Sequence, residues 1–162
     1  MGQVLEQRVF DREGDLITFS IPGEPVAKGR PRMRVITAKA SGKSFATMYP
    51  PKETVNYENL VKVSYRQVHC GNPSAAPIRM TIKAFFPIPK SATKRFFTEC
   101  ANEDHPVIKK PDFDNIAKII CDALNEIAFK DDSQVYDCRV EKFYSEKPRT
   151  VVTIEEDVPV LF

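Results

Sequence analysis

A cluster of acidic side chains and one lysine combines the residue types that can bind a divalent metal ion. Asp112 and Asp114 stand two residues apart, Lys118 follows Asp114 by four residues, and Asp132 comes later, with Asp131 a weaker candidate beside it. Two ionised carboxylates held close together repel each other unless a cation joins them. Mg²⁺ takes oxygen ligands and keeps several waters, so few side chains suffice to bind it. The residues alone therefore indicate a carboxylate metal site.

The rest of the composition limits the chemistry that this cluster can perform. The chain has only two histidines, and its four cysteines show no paired spacing of the kind that binds zinc. Hydrolysis would therefore depend on carboxylates, a lysine and a metal. An ammonium group at Lys118 could stabilise negative charge developing on phosphorus or orient the attacking water. No small-molecule cofactor is expected.

Each of these features also has an ordinary structural explanation. An aspartate before a helix is commonly only an N-cap, and an Asp-Asp pair is common in turns. Asp114 and Lys118 could form a routine i,i+4 pair on the helix surface. A DNA-binding protein without catalysis, in which the acids are caps, is therefore an alternative that stays open.

A basic segment is the candidate surface for nucleic acid. The net charge is only +2, so bulk charge does not indicate such a partner. Residues 25–51 contain glycines and prolines with little apolar periodicity, which predicts a long basic loop of functional importance. We expect phosphate contacts from the basic side chains of this loop and from the two lysines before the acids. These residues are Lys28, Arg30, Arg32, Arg34, Lys109 and Lys110.

Hydrophobic periodicity predicts the elements that position these residues. Residues 16–21 and 78–86 alternate as strands do, and residues 53–70 have the period of a helix. A second helix is predicted to begin near Asp114, with Phe113 turned towards the core and both acids on an extended segment before it. Its buried stripe is Ile116, Ile119, Ile120, Ala123, Leu124 and Ile127, and its polar face is Asp114, Asn115, Lys118, Asp122 and Asn125.

The C-terminal third predicts two more strands. Residues 134–144 and 150–155 alternate around turn-forming residues, and we expect them to pair as an antiparallel hairpin. A short strand at residues 4–10 and a short helix at residues 91–101 are weaker predictions.

Together these elements predict a single α+β domain over residues 1–162, with residues 1–14 as an N-terminal extension. A small mixed sheet of about four strands would carry two to three packed helices.

Several segments resemble the RusA family of Holliday junction resolvases. They are residues 21–32 (IPGEPVAKGRPR), 110–115 (KPDFDN) with Lys118, 122–125 (DALN), 130–135 (KDDSQV) and 139–142 (RVEK). The likeness runs in order over about residues 16–156, and the series of acids, asparagine and lysine is specific.

The resemblance implies a homodimer that binds four-way DNA junctions and nicks two strands symmetrically with Mg²⁺ or Mn²⁺, in recombination and repair. It implies metal binding by Asp112, Asp114 and Asp132 and an essential role for Lys118. Some members carry an arginine-rich run where this chain has Lys109-Lys110-Pro111. The loop from Lys28 to Arg34 would then take more of the DNA contacts. A nuclease for other branched DNA is a further alternative.

The sequence also predicts the compartment. No run of about 18 apolar residues is present, which argues against a membrane-spanning helix. The first residues carry an acid early and lack the apolar stretch of a signal peptide, so we expect a cytoplasmic protein with no membrane partner.

Overall fold

A four-stranded mixed sheet carries the fold in the computed structural model, which describes residues 16–157. The elements are β1 (Leu16–Pro22), β2 (Arg32–Thr37), β3 (Ser44–Tyr49), α1 (Lys52–Val68), β4 (Ile78–Pro87), α2 (Lys94–Glu99), α3 (Phe113–Leu124), a short 3₁₀ helix (Asp132–Gln134), β5 (Val135–Ser145) and β6 (Arg149–Glu156). This confirms the predicted α+β class. The strand expected at residues 4–10 lies outside the described residues.

One hydrophobic core lies between the main sheet and the two long helices. In β4, Met80 and Ile82 are fully buried, whereas Arg79 and Lys83 point to solvent, as the alternation predicts. Helix α1 packs against β1, helix α3 packs against β5, and the two helices pack against each other. Burying a large apolar side chain contributes about 1.5–3 kcal/mol, so this core fixes the position of α3.

Most of the apolar stripe predicted for α3 is confirmed. Ile116, Ile119, Ile120, Ala123 and Leu124 are all buried on one side. The helix ends at Leu124, with Asn125 as its C-cap, so the inclusion of Ile127 in the helical stripe was wrong. The chain then reverses through Phe129, which is fully buried and anchors the return towards the 3₁₀ helix.

The prediction of a long loop over residues 25–51 was wrong from residue 32 onwards. β2 and β3 pair as an antiparallel hairpin that is separate from the main sheet. Its turn contains Gly42 at a φ of +63°, and Gly42 N–H donates to the Ala38 carbonyl at 2.9 Å. Every residue of both strands is exposed. Because neither face is buried, the sequence lacks the contrast that usually identifies a strand.

The predicted pairing of the last two strands was also wrong. β5 pairs in parallel with β4, and β6 lies between β1 and β4, antiparallel to both. Ser145 and Arg149 therefore flank β4, since Ser145 pairs with Pro87 and Arg149 with Phe85. Thr150, Val152 and Ile154 are buried, which suits β6 to a central position.

Two smaller features complete the description. The short helix expected at residues 91–101 forms as α2, but its N-cap is Thr93, whose hydroxyl accepts a hydrogen bond from Phe96 N–H. Among residues 16–157, no helix has both the length and the apolar character needed to cross a bilayer.

Candidate active site

The start of α3 holds two of the predicted acids without using them as caps. Asp112 is the N-cap residue by backbone position, and its carbonyl accepts from Ile116 N–H at 3.3 Å, but its side chain makes no capping hydrogen bond. Asp114 lies in the first turn, and both carboxylates are exposed. Neither acid is explained by capping.

The geometry at this point differs from the predicted one. The helix already begins at Phe113, so each residue turns by about 100° and Asp112 and Asp114 do not point the same way. Phe113 is 63% exposed rather than turned towards the core. The two acids therefore face two different cavities on either side of the helix start.

The first of these, the Asp114 cavity, collects three of the four predicted catalytic residues. Asp114, Lys118 and Asp132 line a cavity of about 370 Å³. Its remaining walls are Phe113, Ala117, Cys121, Val135, Cys138 and Val140. Within residues 16–157, none of these three charged side chains forms an ion pair. Asp114 and Lys118 are thus not a routine i,i+4 pair, and the three groups are available to a ligand.

The second, the Asp112 cavity, combines the remaining acid with basic side chains. It has a volume of about 490 Å³ and is lined by Ala27, Lys28, Arg30, Lys110, Pro111, Asp112 and Asn115. Arg30 and Lys110 are exposed and have no ion pair among the described residues. The peptide bond between Lys110 and Pro111 is cis. The structure therefore places two unpaired cations beside Asp112.

The two acids after α3 have different environments. Asp131 caps the 3₁₀ helix: its carboxylate accepts from Ser133 N–H at 2.8 Å, while Gln134 Oε1 accepts from Asp131 N–H at 2.9 Å. The hydrogen bonds that its carboxylate accepts from Ser133 lower the pKa of Asp131. Asp132 N–H donates to Asn125 Oδ1 at 3.0 Å, and its carboxylate lines the Asp114 cavity. Asp132 is therefore the better candidate ligand.

The donor set of the Asp114 cavity fits a Mg²⁺ ion held by two carboxylates. In the described part of the chain, no three acidic, histidine or cysteine side chains come together as a ready metal group. Mg²⁺ is often bound through only one or two carboxylates with waters and substrate phosphates, a requirement that Asp114 and Asp132 meet. Burial raises the pKa of Cys121 to about 12, so its thiol stays protonated at neutral pH. Oxygen ligands are thus the available donors.

Lys28 has a different environment from the other predicted DNA-binding residues. Its ammonium group contacts Glu58 Oε1 at 2.5 Å and Asp122 Oδ2 at 2.8 Å. The main-chain N–H of Lys28 donates to the Asn115 carbonyl at 2.9 Å. Burial alone lowers the pKa of Lys28, but the hydrogen bonds to Asp122 and Glu58 raise it overall. Lys28 therefore joins α1 to α3 and has little charge left for a phosphate.

The other predicted basic residues remain available. Lys109 is exposed in the segment before α3, and Arg32 and Arg34 are exposed on β2. In the hairpin register Arg32 stands opposite Tyr49 and Arg34 opposite Thr47. Because alternate residues of a strand share a face, both arginines lie on one side of the hairpin with Tyr49.

Two comparisons show which known proteins this chain is similar to. The family model described as endodeoxyribonuclease RusA matches residues 22–155. An uncharacterized protein of Bacillus subtilis (strain 168), YqaN, is 37% identical over 144 residues, which cover 88% of this chain and 97% of that protein. The matched range includes every candidate catalytic residue named above.

Proposed function

Because the chain belongs to the RusA family of endodeoxyribonucleases, we propose that it is a Mg²⁺- or Mn²⁺-dependent crossover junction endodeoxyribonuclease. It would resolve four-way DNA junctions by paired symmetric nicks in recombination and repair. The observation that carries this proposal is the convergence of Asp114, Lys118 and Asp132 on one cavity at the start of α3.

The residues of the two cavities would have different roles in phosphodiester hydrolysis. Asp114 and Asp132 would hold the metal in the Asp114 cavity. Asp112, the third predicted ligand, would act from the other side of the helix start, at the Asp112 cavity. A bound divalent ion polarises the phosphate and lowers the pKa of a coordinated water. Lys118, with no acidic partner among the described residues, would bind the scissile phosphate and stabilise the negative charge that develops there.

A phosphate next to the scissile one would contact the Asp112 cavity. Arg30 and Lys110 supply its unpaired cations, and Lys109 lies one residue before Lys110. Arg32 and Arg34 would extend this basic surface along the hairpin. Arg30 thus takes the role that an arginine-rich run before the acids has in some members of the family.

A homodimer would present two such sites to the two equivalent strands of a junction. The β2–β3 hairpin offers a surface for this contact. Met33, Val35 and Met48 share one of its faces and are 69%, 61% and 67% exposed. Contiguous exposed apolar surface of this kind commonly marks an interface.

The cleavage reaction is best tested by comparing two neighbouring acids. We expect Asp132→Asn to lower the cleavage rate of a labelled four-way junction in Mg²⁺ by about 100-fold or more, because it removes a metal ligand. Asp131→Asn should leave the rate within about threefold, because asparagine is as good an N-cap as aspartate. Both variants should still bind the junction in EDTA, as loss of a negative charge does not oppose phosphate binding.

The same assay separates the alternatives. A junction left intact by the unaltered protein in both Mg²⁺ and EDTA, but still bound, would identify a DNA-binding protein without catalysis. Equal or faster cleavage of duplex or flap DNA would identify a nuclease for other substrates. Normal cleavage by Asp132→Asn would contradict the assignment of the site.

A further inference from the structure

Lys142 holds the segment that leads into the candidate active site. It lies on β5 opposite Ala84, and its side chain is half-buried. Its ammonium group donates to the Lys109 carbonyl at 2.7 Å and to the Pro111 carbonyl at 2.8 Å. The Lys142 carbonyl accepts from Val107 N–H at 3.0 Å. One residue is therefore bonded to the segment at three points.

The chemistry of these contacts is unusual for a lysine. Among the described residues Lys142 has no carboxylate partner, and two main-chain carbonyls take its hydrogen bonds instead. Removing an ammonium group partly from water has a free-energy cost that pairing with a carboxylate usually offsets. Glu141, the adjacent acid, pairs with Arg139 and Lys83 and not with Lys142.

The Pro111 carbonyl is the last main-chain acceptor before Asp112. The Asp112 side chain makes no capping hydrogen bond, so the position of the main chain is what places it beside the helix start. The same backbone determines where α3 begins and hence where Asp114 lies in the first turn. A change in the hydrogen bonds to Lys142 would shift both acids together.

We propose that Lys142 is a positioning residue of the active site, which holds the carbonyls of Lys109 and Pro111 and so fixes the start of α3, where Asp114 lies on the same cavity as Asp132. This inference rests on the proposed metal-dependent nuclease activity. Lys142 acts through the main chain and does not itself contact the metal. Loss of partners that orient metal ligands typically weakens metal affinity by about 10- to 100-fold.

The test compares Lys142→Met with Lys142→Arg. Methionine keeps an unbranched apolar chain of similar length and removes the donors, whereas arginine keeps the donors. We expect Lys142→Met to weaken Mn²⁺ binding, measured by electron paramagnetic resonance without DNA, by about tenfold or more. The Mg²⁺ concentration for half-maximal junction cleavage should rise by a similar factor. Lys142→Arg should restore both values to within about threefold.

Lys83→Met is the matched control, because Lys83 is an exposed lysine on β4 whose ammonium lies 3.8 Å from Glu141. It should leave metal binding and cleavage unchanged. Amide hydrogen exchange of residues 112–116 should be faster in Lys142→Met only.

The outcomes separate this inference from the proposed activity. If the unaltered protein does not cleave in Mg²⁺, the proposed function fails. If it cleaves and Lys142→Met has the same metal affinity and Mg²⁺ midpoint, the positioning role is overturned. If Lys142→Met and Lys142→Arg both unfold, Lys142 supports the fold as a whole and the inference is likewise overturned.

Discussion

Single hydrogen bonds decide which charged residues of this protein are free to act on a substrate. Asp131 is exposed but its carboxylate accepts from Ser133 N–H, whereas Asp132 lines the Asp114 cavity. Lys28 and Arg30 are only two residues apart, yet Lys28 contacts two carboxylates and Arg30 contacts none within residues 16–157. Residue type alone does not distinguish these neighbours. Asp131 is engaged by Ser133, two residues away, whereas the partners of Lys28 are far away in the chain.

The contrast between Lys28 and Arg30 yields a prediction for DNA binding. Arg30→Met should reduce the slope of log K against log salt for junction binding in EDTA by about 1, because one phosphate contact is lost. Lys28→Met should leave that slope unchanged, since Glu58 and Asp122 already neutralise its charge. Fluorescence anisotropy at several salt concentrations measures both slopes. A lower slope in Lys28→Met alone would contradict the assignment of the phosphate contact to Arg30.

Lys28 should instead affect stability. Lys28→Met removes two charge-assisted hydrogen bonds and leaves two carboxylates near each other between α1 and α3. We expect the free energy of unfolding to fall by about 1–3 kcal/mol in urea titration, and that of Arg30→Met to stay within about 0.5 kcal/mol.

At the scale of elements, an ion pair fixes the chain that leads from α2 to the acids. Arg149 donates to both carboxylate oxygens of Glu103 at 2.9 Å, and Ser145 Oγ donates to one of them at 2.5 Å. The guanidinium lies 4.1 Å from the centre of the Phe85 ring. The segment from Glu103 is thereby joined to β5 and β6 before it reaches Lys142.

This ion pair predicts a dependence of stability on acid. The hydrogen bonds from Arg149 and then Ser145 lower the pKa of Glu103 from 4.5 to about 2. The contribution of the folded ion pair is therefore complete above about pH 4.5 and is lost as the pH falls towards 2. The stability difference between the unaltered protein and Glu103→Gln should shrink over that range, and urea midpoints measure it. Solvent screens the pair, which keeps the effect modest.

Glu146→Gln provides the control, because Glu146 is an exposed carboxylate in the same turn region. Its stability should follow that of the unaltered protein at every pH. A constant difference between Glu103→Gln and the unaltered protein from pH 6 to pH 2.5 would contradict the role of this ion pair.

The elements that the sequence predicts well are those that bury one face. β1, β4 and α3 each place apolar residues at the period of the structure they form, and each was found close to its expected bounds. The β2–β3 hairpin buries neither face, and the pairing of β5 and β6 depends on which strand fills the centre of the sheet. Neither property is a local one, so periodicity could not identify it.

In the candidate site too, local spacing predicts some residues, and contacts between distant residues are missed. Spacing identifies Asp112, Asp114 and Lys118 because they lie within two turns of one helix start. Lys142 acts on carbonyls more than thirty residues away, at Lys109 and Pro111, and no local pattern indicates that contact. Phe113 was predicted in the core because an extended segment would turn it away from Asp112 and Asp114. The helix begins earlier than expected, at Phe113, and this side chain is exposed.

At the scale of the whole molecule, the hairpin separates two kinds of surface. Arg32 and Arg34 share one face with the exposed side chains of Ile36, Phe45 and Tyr49. The other face carries Met33, Val35 and Met48 and no charged residue of the two strands. The first face combines cations with apolar and aromatic groups and suits DNA, and the uncharged face suits an apolar partner. A second copy that covers the apolar face would leave the basic face of each hairpin exposed to the junction.

This division predicts the effect of one charge on either face. Val35→Glu places a carboxylate in the proposed dimer contact of each copy, and should weaken dimerisation by about 100-fold or more, because an unpaired charge would be buried. Thr47→Glu places the same group on the opposite face, across from Arg34, and should leave the dimer intact. Both positions are exposed, so neither change should lower the unfolding temperature. Sedimentation velocity measures the oligomeric state.

The oligomeric state should also determine the product of cleavage. On a supercoiled plasmid that extrudes a cruciform, a dimer cuts both strands in one encounter and gives linear DNA. Val35→Glu should give mainly nicked circles, because each monomer has one site, whereas Thr47→Glu should still give linear product. A monomeric unaltered protein, or a fully dimeric Val35→Glu, would show that this face of the hairpin is not the contact between copies.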